Sequence, residues 1–347
     1  MRIAIDIGFG FVKAMNQEGT IIRFPSVVAL DRSEKMRNIL KTQAEDFSVT
    51  IWPTGELEHS KSYLVGDAAM VGGNGLRTWE EKAVANTNME ILIATAAAVL
   101  GNDEDIELAV GLPLTYYRTQ KEEVTALLKK MDMSVLIEGQ ARKRVKIASV
   151  YVFPQGAGAY YAACLNIDGA VKNPELVNSP VGLIDIGYRT TDILVMAKGK
   201  KGLMPREELS GGIDMGMKFA YQIIQNEAEE VVKKSIDLLT VEKAILWENS
   251  RLLHRGIEYS LKDVENEAYA ELADQLAAKI KIRWGDEIDH LSAIIIAGGG
   301  GEILAPYLKH SFSTMIKMEN AAFANVEGFL AAQSLAKKRA EMNENNN

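Results

Sequence analysis

Short apolar blocks dominate residues 1 to 30. Arg2 to Ile7, Phe11 to Met15 and Thr20 to Phe24 are rich in β-formers and separated by glycine-containing turns, a pattern that predicts an antiparallel meander. Residues 31 to 90 are mixed and polar, with short strand patterns at Phe47 to Trp52 and Ser62 to Val65 and a glycine loop at Gly72-Gly73-Asn74-Gly75. They read as an inserted subdomain. Glu90 to Leu100 predicts an apolar helix, Ile106 to Gly111 a buried strand stopped at Leu112-Pro113, and Thr119 to Met131 a charged amphipathic helix. Ser134 to Ile137 and Arg144 to Val152 predict a further strand pair.

The pattern then changes character. Pro154-Gln155-Gly156-Ala157-Gly158-Ala159 opens a helix of very small residues, which lets another backbone approach closely. A strand at Gly182 to Ile184, an acidic residue, a glycine turn and a second strand at Ile193 to Met196 repeat the arrangement of Ile3 to Met15. The spacing from Asp6 to Asp185 is about the size of one domain, so the chain reads as two similar halves. Helices are predicted at about Asp214 to Lys234 and Val264 to Lys281. A buried strand at Leu291 to Ala297 runs into Gly298-Gly299-Gly300-Gly301, followed by a short helix at Glu302 to Lys309. A last helix, Ala321 to Met342, leads into an Asn-rich tail.

Composition narrows the class. With 347 residues, 47% hydrophobic and 25% charged, the chain fits two globular domains. A formal net charge of −8 argues against direct nucleic-acid binding, which needs a basic face. The single cysteine, Cys164, allows no intrachain disulfide, and its apolar helical setting reads as core. The amino terminus lacks the apolar core of a signal peptide, and no apolar run approaches the ~20 residues a bilayer demands. A cytoplasmic protein without a membrane role is expected. Phe329, Leu330 and Leu335 with Lys337, Lys338 and Arg339 read as helix packing; Lys200-Lys201 and Arg142-Lys143-Arg144 read as solvated turns.

The chemistry concentrates at the two turns. Gly8 and Gly10 remove side chains that would keep a phosphate chain from backbone N–H groups, and Lys13 adds a nearby cation. No third glycine or following helix makes this a dinucleotide fingerprint, and no Gly-Lys-Ser/Thr makes it a Walker loop. Asp185 at a strand end can hold Mg²⁺, which keeps part of its hydration shell, while Gly187 admits a γ-phosphate and Thr190 and Thr191 offer hydroxyls. Either turn alone is equally ordinary hairpin chemistry. Gln155 can orient a water for in-line attack, or cap a helix. The glycines after Ala297 would let a flat ring lie against bare backbone at a strand's carboxyl end.

In order, Asp6-Ile7-Gly8-Phe9-Gly10, Gln155-Gly156-Ala157-Gly158, Asp185-Ile186-Gly187-Tyr188-Arg189-Thr190-Thr191-Asp192, Ala297-Gly298-Gly299-Gly300 and Asn325-Val326-Glu327-Gly328-Phe329 resemble the five-part signature of the actin-like ATPase superfamily. Within it the chain looks most like the ParM-type plasmid-segregating actins and their archaeal and bacterial relatives. The resemblance implies an α/β, actin-like ATPase fold of two duplicated ribonuclease-H-like domains with an interdomain nucleotide cleft. Domain I would be residues 1–153 plus 320–347, with an insert at about 31–90. Domain II would be 154–319, with an insert at about 212–285. It also implies ATP, with GTP possible, and Mg²⁺ held by Asp6 and Asp185. Asp6, Gly8, Phe9, Gly10 and Lys13 would form the first phosphate loop, and Gly187, Tyr188, Thr190 and Thr191 the second. Gly298, Gly299, Gly300, Gly301 and Glu302 would form the adenosine site. Gln155 and Asp185 would be catalytic. Many relatives carry Gly-Gly where this chain has Tyr188-Arg189, so the second loop is bulkier.

The function so implied is a filament-forming ATPase, with itself as partner and a DNA-binding adaptor at a plasmid centromere as a second. Two alternatives share the fold. A sugar-type kinase needs a carboxylate base, and no Asp or Glu lies between Val145 and Asn166. A heat-shock-type chaperone carries a substrate-binding domain after its ATPase, and this chain ends soon after its last matching segment. A cytoskeletal actin homologue not tied to plasmids stays open.

Overall fold

The computed structural model describes residues 1–31, 47–53, 59–71, 76–77, 86–199 and 202–344. The expected glycine loop at 72–75 and the Lys200-Lys201 turn lie outside them. The chain divides into two compact units, Met1–Asn173 with Phe323–Asn347, and Pro174–Ala322.

In the first unit, β1 (Arg2–Ile7), β2 (Phe11–Asn16) and β3 (Ile21–Pro25) form the antiparallel meander that the apolar blocks predicted. Five further strands follow: β4 (Val27–Leu30), β5 (Phe47–Pro53), β6 (Lys61–Val65), β7 (Leu76–Arg77) and β8 (Ile106–Leu112). β9 (Asp132–Ile137) and β10 (Lys143–Pro154) complete a sheet ordered β3-β2-β1-β8-β10-β9-β5-β6-β4-β7. β10 serves two neighbours. Beyond an irregularity between Ile147 and Ser149 it runs parallel to β8, and before it Lys143 to Lys146 pair antiparallel with β9. A bulge of this kind bends a strand, and here it hands the sheet over from the central strands to the insert's strands β5 and β6.

The helix Thr87–Leu100 is buried on nearly all sides, as its Ala- and Ile-rich sequence requires, and Asn86 caps it by accepting from the Met89 N–H at 2.9 Å. The charged helix starts earlier than its periodicity predicted. It spans Leu114–Leu128, directly after Pro113, whose fixed φ suits a helix entry.

The second unit repeats the plan. Its strands are β11 (Val181–Ile186), β12 (Thr191–Gly199), β13 (Gly202–Pro205), β14 (Gly211–Ile213), β15 (Arg251–His254), β16 (Ile257–Ser260), β17 (Ala293–Ala297) and β18 (Met315–Lys317). The order β13-β12-β11-β17-β18 matches β3-β2-β1-β8-β10, with two antiparallel pairings and then two parallel ones. Around it lie the helices Met217–Val232, Leu238–Leu246, Lys262–Trp284 and Gly299–Leu308. Trp284, 2% exposed, fills this core while its indole N–H donates to the Leu209 carbonyl at 3.0 Å. That hydrogen bond is what lets a buried tryptophan stay satisfied.

The expected boundary at 153/154 differs from the observed one at 173/174. The helix Ala157–Cys164 packs on the closing helix Ala324–Glu344 of the first unit. Gly158 and Gly328 make that contact possible. A Cβ on Gly158 would lie 2.6 Å from the Phe329 ring and 2.7 Å from the Asn325 carbonyl oxygen, and one on Gly328 would run into the Gly158 carbonyl. Only bare backbone fits on both sides.

Candidate functional site: two matched turns and the residues that brace them

β1 and β2 pair up to Ile7 and Val12, and the hairpin closes when the Gly8 N–H donates to the Phe11 carbonyl at 3.1 Å. Ser26, fully buried, holds the turn from behind. Its hydroxyl donates to the Gly8 carbonyl at 2.6 Å and its N–H to the Gly10 carbonyl at 2.9 Å. With both carbonyl oxygens bonded to Ser26, the glycines turn no bare acceptor toward an anion, although a backbone phosphate nest also takes N–H groups free to donate and that of Gly8 closes the hairpin. Asp6 sits one residue before the end of β1, 4% exposed, with Lys13 as its cross-strand partner. Phe9 is half-buried in the turn itself.

Gln155 reaches the same carboxylate from β10. The strand ends at Pro154, the Gln155 N–H donates to the Leu112 carbonyl at 2.7 Å, and Gly156 turns the chain with φ of +83° into the small-residue helix. The Gln155 Nε2 donates to Asp6 Oδ1 at 2.6 Å. That commits the amide's donor end and makes Oε1 its acceptor end. Asn325 completes the network. Its Nδ2 donates to Asp6 Oδ2 at 3.4 Å, while its Oδ1 accepts from the Gly156 and Ala159 N–H groups at 3.2 and 3.3 Å. Gly111 must be bare for this to pack, since a Cβ there would lie 2.6 Å from Phe329 and 3.0 Å from Gln155 Cγ.

The second turn is built alike at its core. Ile186 pairs with Thr191, and the Gly187 N–H donates to the Thr190 carbonyl at 2.9 Å. Its brace is different. The Met217 and Lys218 N–H groups, at the start of the helix Met217–Val232, donate to the Gly187 and Tyr188 carbonyls at 3.1 and 2.7 Å. Gly216 packs so closely that a Cβ would lie 2.7 Å from the Gly187 oxygen. The cross-strand partner of Asp185 is Asp192, where the first turn pairs Asp6 with Lys13. Asp185 and Asp192 are 7% and 6% exposed. Two buried carboxylates on paired positions suit a cation, and Mg²⁺ takes one or two carboxylates with the rest of its shell from water and phosphate. Among the described residues no cluster of three or more His, Cys, Asp or Glu could form an all-protein metal cage. Asp185 and Asp192 are the donor pair that suits such an ion.

Two expectations change here. Thr191 is fully buried and its hydroxyl donates to the Met215 carbonyl at 2.8 Å, so that hydroxyl braces the turn; Thr190 is the half-exposed one. Tyr188 turns into the helices, where its hydroxyl donates to Glu242, and Arg189 pairs with Asp214 at 3.5 Å. The glycine run also differs from the open strip that a flat ring would lie against. Gly298 takes φ of +83° and caps the helix Gly299–Leu308, whose first turn is Gly299-Gly300-Gly301. Gly298 packs on the Ile186 carbonyl and the Asp185 carboxylate, and a Cβ on Gly300 would lie 2.6 Å from Ile186 Cγ2. These glycines seat the helix on the end of β11. Glu302, in its first turn, is exposed.

Comparison with known proteins agrees with the architecture. The family model described as the actin-like proteins N-terminal domain matches residues 4–158, and the one described as the archaeal actin homologue MreB-like C-terminal matches 183–310. An archaeal actin homologue of Thermoplasma volcanium is 24% identical over 339 residues, covering 94% of this chain and 97% of its own. A ParM from Clostridium botulinum, solved as a 15-stranded filament, is 25% identical with a TM-score of 0.81, covering 96% of this chain and 99% of that one. An archaeal actin homologue solved in complex with ADP, 19% identical, has a TM-score of 0.72 over 96% of this chain and 98% of its own.

Proposed function

The chain belongs to the actin-like proteins, and from that premise we propose that it binds ATP with Mg²⁺, hydrolyses it, and assembles into filaments whose stability follows the bound nucleotide. Each turn offers a phosphate-binding loop: Gly8, Phe9, Gly10 and Lys13 in the first, Gly187 and Thr190 in the second. The helix beginning at Gly299, with Glu302, lies on the adenosine side.

Mg²⁺, when bound, would neutralise phosphate charge, and Asp185 with its cross-strand partner Asp192 would hold it, the Asp6 carboxylate being taken by the Gln155 and Asn325 amides. Gln155 orients the attacking water through Oε1, its Nε2 being fastened to Asp6. An amide is too weak a base to take a proton, so its contribution is position. The observation that carries this reading is the pair of turns closed by the same hydrogen bond, with Gln155 bonded to the aspartate of the first.

Filament formation is supported by similarity to the Clostridium botulinum ParM filament. Closure on the γ-phosphate favours assembly, and its loss loosens the filament, a population shift driven by differential contacts. Resemblance to the ParM-type proteins supports a plasmid as cargo, reached through a DNA-binding adaptor, and the formal net charge of −8 disfavours direct DNA binding by the chain itself.

The test is Gln155→Ala. Hydrolysis should fall by about 10-fold or more while nucleotide affinity changes only a few-fold. An unchanged rate would remove Gln155 from the reaction, and transfer of the phosphate to a sugar hydroxyl in place of water would replace the ATPase reading with a kinase.

A further inference from the structure

The two turns close alike, yet they are fastened to different things. The first is braced within its own sheet by Ser26. The second is fastened to helices, through the backbone by Met217 and Lys218 and through a side chain by Tyr188. Tyr188 reaches 54 positions along the chain to Glu242, on the helix Leu238–Leu246, and packs against Tyr221 of the helix Met217–Val232 with ring centroids 6.2 Å apart.

Glu242 is 1% exposed. Its helix buries Val241 and Ala244 beside it, and is held at its start by Asp237, which accepts from the Thr240 N–H at 2.9 Å. The helix Met217–Val232 is tied to the same region, since Gln225 Nε2 donates to the Ile236 carbonyl at 2.6 Å. A carboxylate taken out of water is costly unless it is hydrogen-bonded. A folded chain that keeps one there, with a phenol from the turn donating to it, has made turn and helix one polar unit. Any shift of the turn backbone moves the phenol, and with it the hydrogen bond to this buried carboxylate.

We propose that Tyr188 and Glu242 are a positioning pair that carries a change at the second turn into the helix Leu238–Leu246, so that nucleotide binding orders that helix. The pair acts through the turn and touches no reacting atom. The phenol sets the height of the turn; Glu242 fixes the phenol; the Met217 and Lys218 N–H groups hold the backbone on either side of it. The inference rests on the reading that the second turn binds a phosphate chain.

Hydrogen exchange followed by mass spectrometry, on the full chain with and without saturating Mg-ATP, tests it. In the wild type, amides of residues 238–246 should exchange more slowly with nucleotide present. Tyr188→Phe should abolish that difference and weaken nucleotide affinity by about 5-fold or more, the scale of a typical coupling between sites. Glu242→Gln retains a carbonyl acceptor for the phenol and should restore part of the protection that Glu242→Leu loses. Nucleotide binding with unchanged exchange at 238–246 overturns the coupling while leaving the nucleotide reading intact. Equal protection in wild type and Tyr188→Phe also overturns it. Absence of nucleotide binding to the wild type overturns the reading of the turn itself.

Discussion

Replacing Gly328 by alanine tests the crossing that positions Gln155. The added Cβ meets backbone only: the Gly158 carbonyl group, whose carbon would be 2.5 Å away, and the Ala162 nitrogen at 2.9 Å. No rotamer can relieve contacts between a methyl group and two backbones, so the helices Ala157–Cys164 and Ala324–Glu344 must part by about 1 Å or more. Asn325 lies one turn away. Its bonds to Gly156 and Ala159, at 3.2 and 3.3 Å, would stretch past hydrogen-bonding distance. Overpacking costs about 1–3 kcal/mol, and two weakened bonds about 1 kcal/mol each. A destabilisation of about 3–5 kcal/mol is expected, measurable as a lowered urea midpoint. Gly139→Asn is the control, because Gly139 has φ of +80° but no atom within 4 Å of a Cβ, and asparagine tolerates that backbone. Hydrolysis should fall with stability, since parting the helices moves Gln155 relative to Asp6. A Gly328→Ala protein with the wild-type urea midpoint and hydrolysis rate would refute the argument.

Other perturbations separate bracing from binding. Thr191→Val removes the bond from the buried Thr191 hydroxyl to the Met215 carbonyl and should cost about 0.5–1.5 kcal/mol in chemical denaturation; Thr190→Val should instead weaken nucleotide binding in a fluorescence titration, and the opposite pattern would show the two threonines have been assigned in reverse. Burial pushes the Cys164 thiol up to about 11, so at pH 8 it should react with a disulfide reagent about 100-fold more slowly than an exposed cysteine. The fold favours the neutral thiol, so this contribution to stability is intact below pH 9 and lost as pH rises from 9 toward 11; rapid labelling of the native chain at pH 8 would contradict the burial.

The meander, the central strands and the repeat of the turn were legible because period-two apolar runs and glycine turns are local signals. Gln155's place beside Asp6 was legible only through the family resemblance. What tertiary packing decides was not legible. Ser26 looks like any serine before a strand, yet it holds both glycine carbonyls of the first turn. Thr190 and Thr191 are adjacent and chemically alike, and only the Met215 carbonyl distinguishes them. The run Gly298 to Gly301 was expected to be open backbone, but helix geometry claims three of the four, and Gly298 and Gly300 pack on Ile186 while Gly301 faces Ile296. The helix Leu238–Leu246 and the hairpin of β15 and β16 are short and carry no chemical motif, and nothing local in the sequence pairs Glu242 with Tyr188. Asn325 was visible as part of a matching segment, while its bridge between Asp6 and the start of the small-residue helix needed coordinates.

The most direct test of the proposed function is assembly. Right-angle light scattering and high-speed sedimentation of the purified chain with Mg-ATP, Mg-ADP and no nucleotide, with electron microscopy of the pellet, should show filaments with Mg-ATP that shorten or vanish as the nucleotide is hydrolysed. A chain that stays a monodisperse monomer with Mg-ATP at high concentration would contradict it.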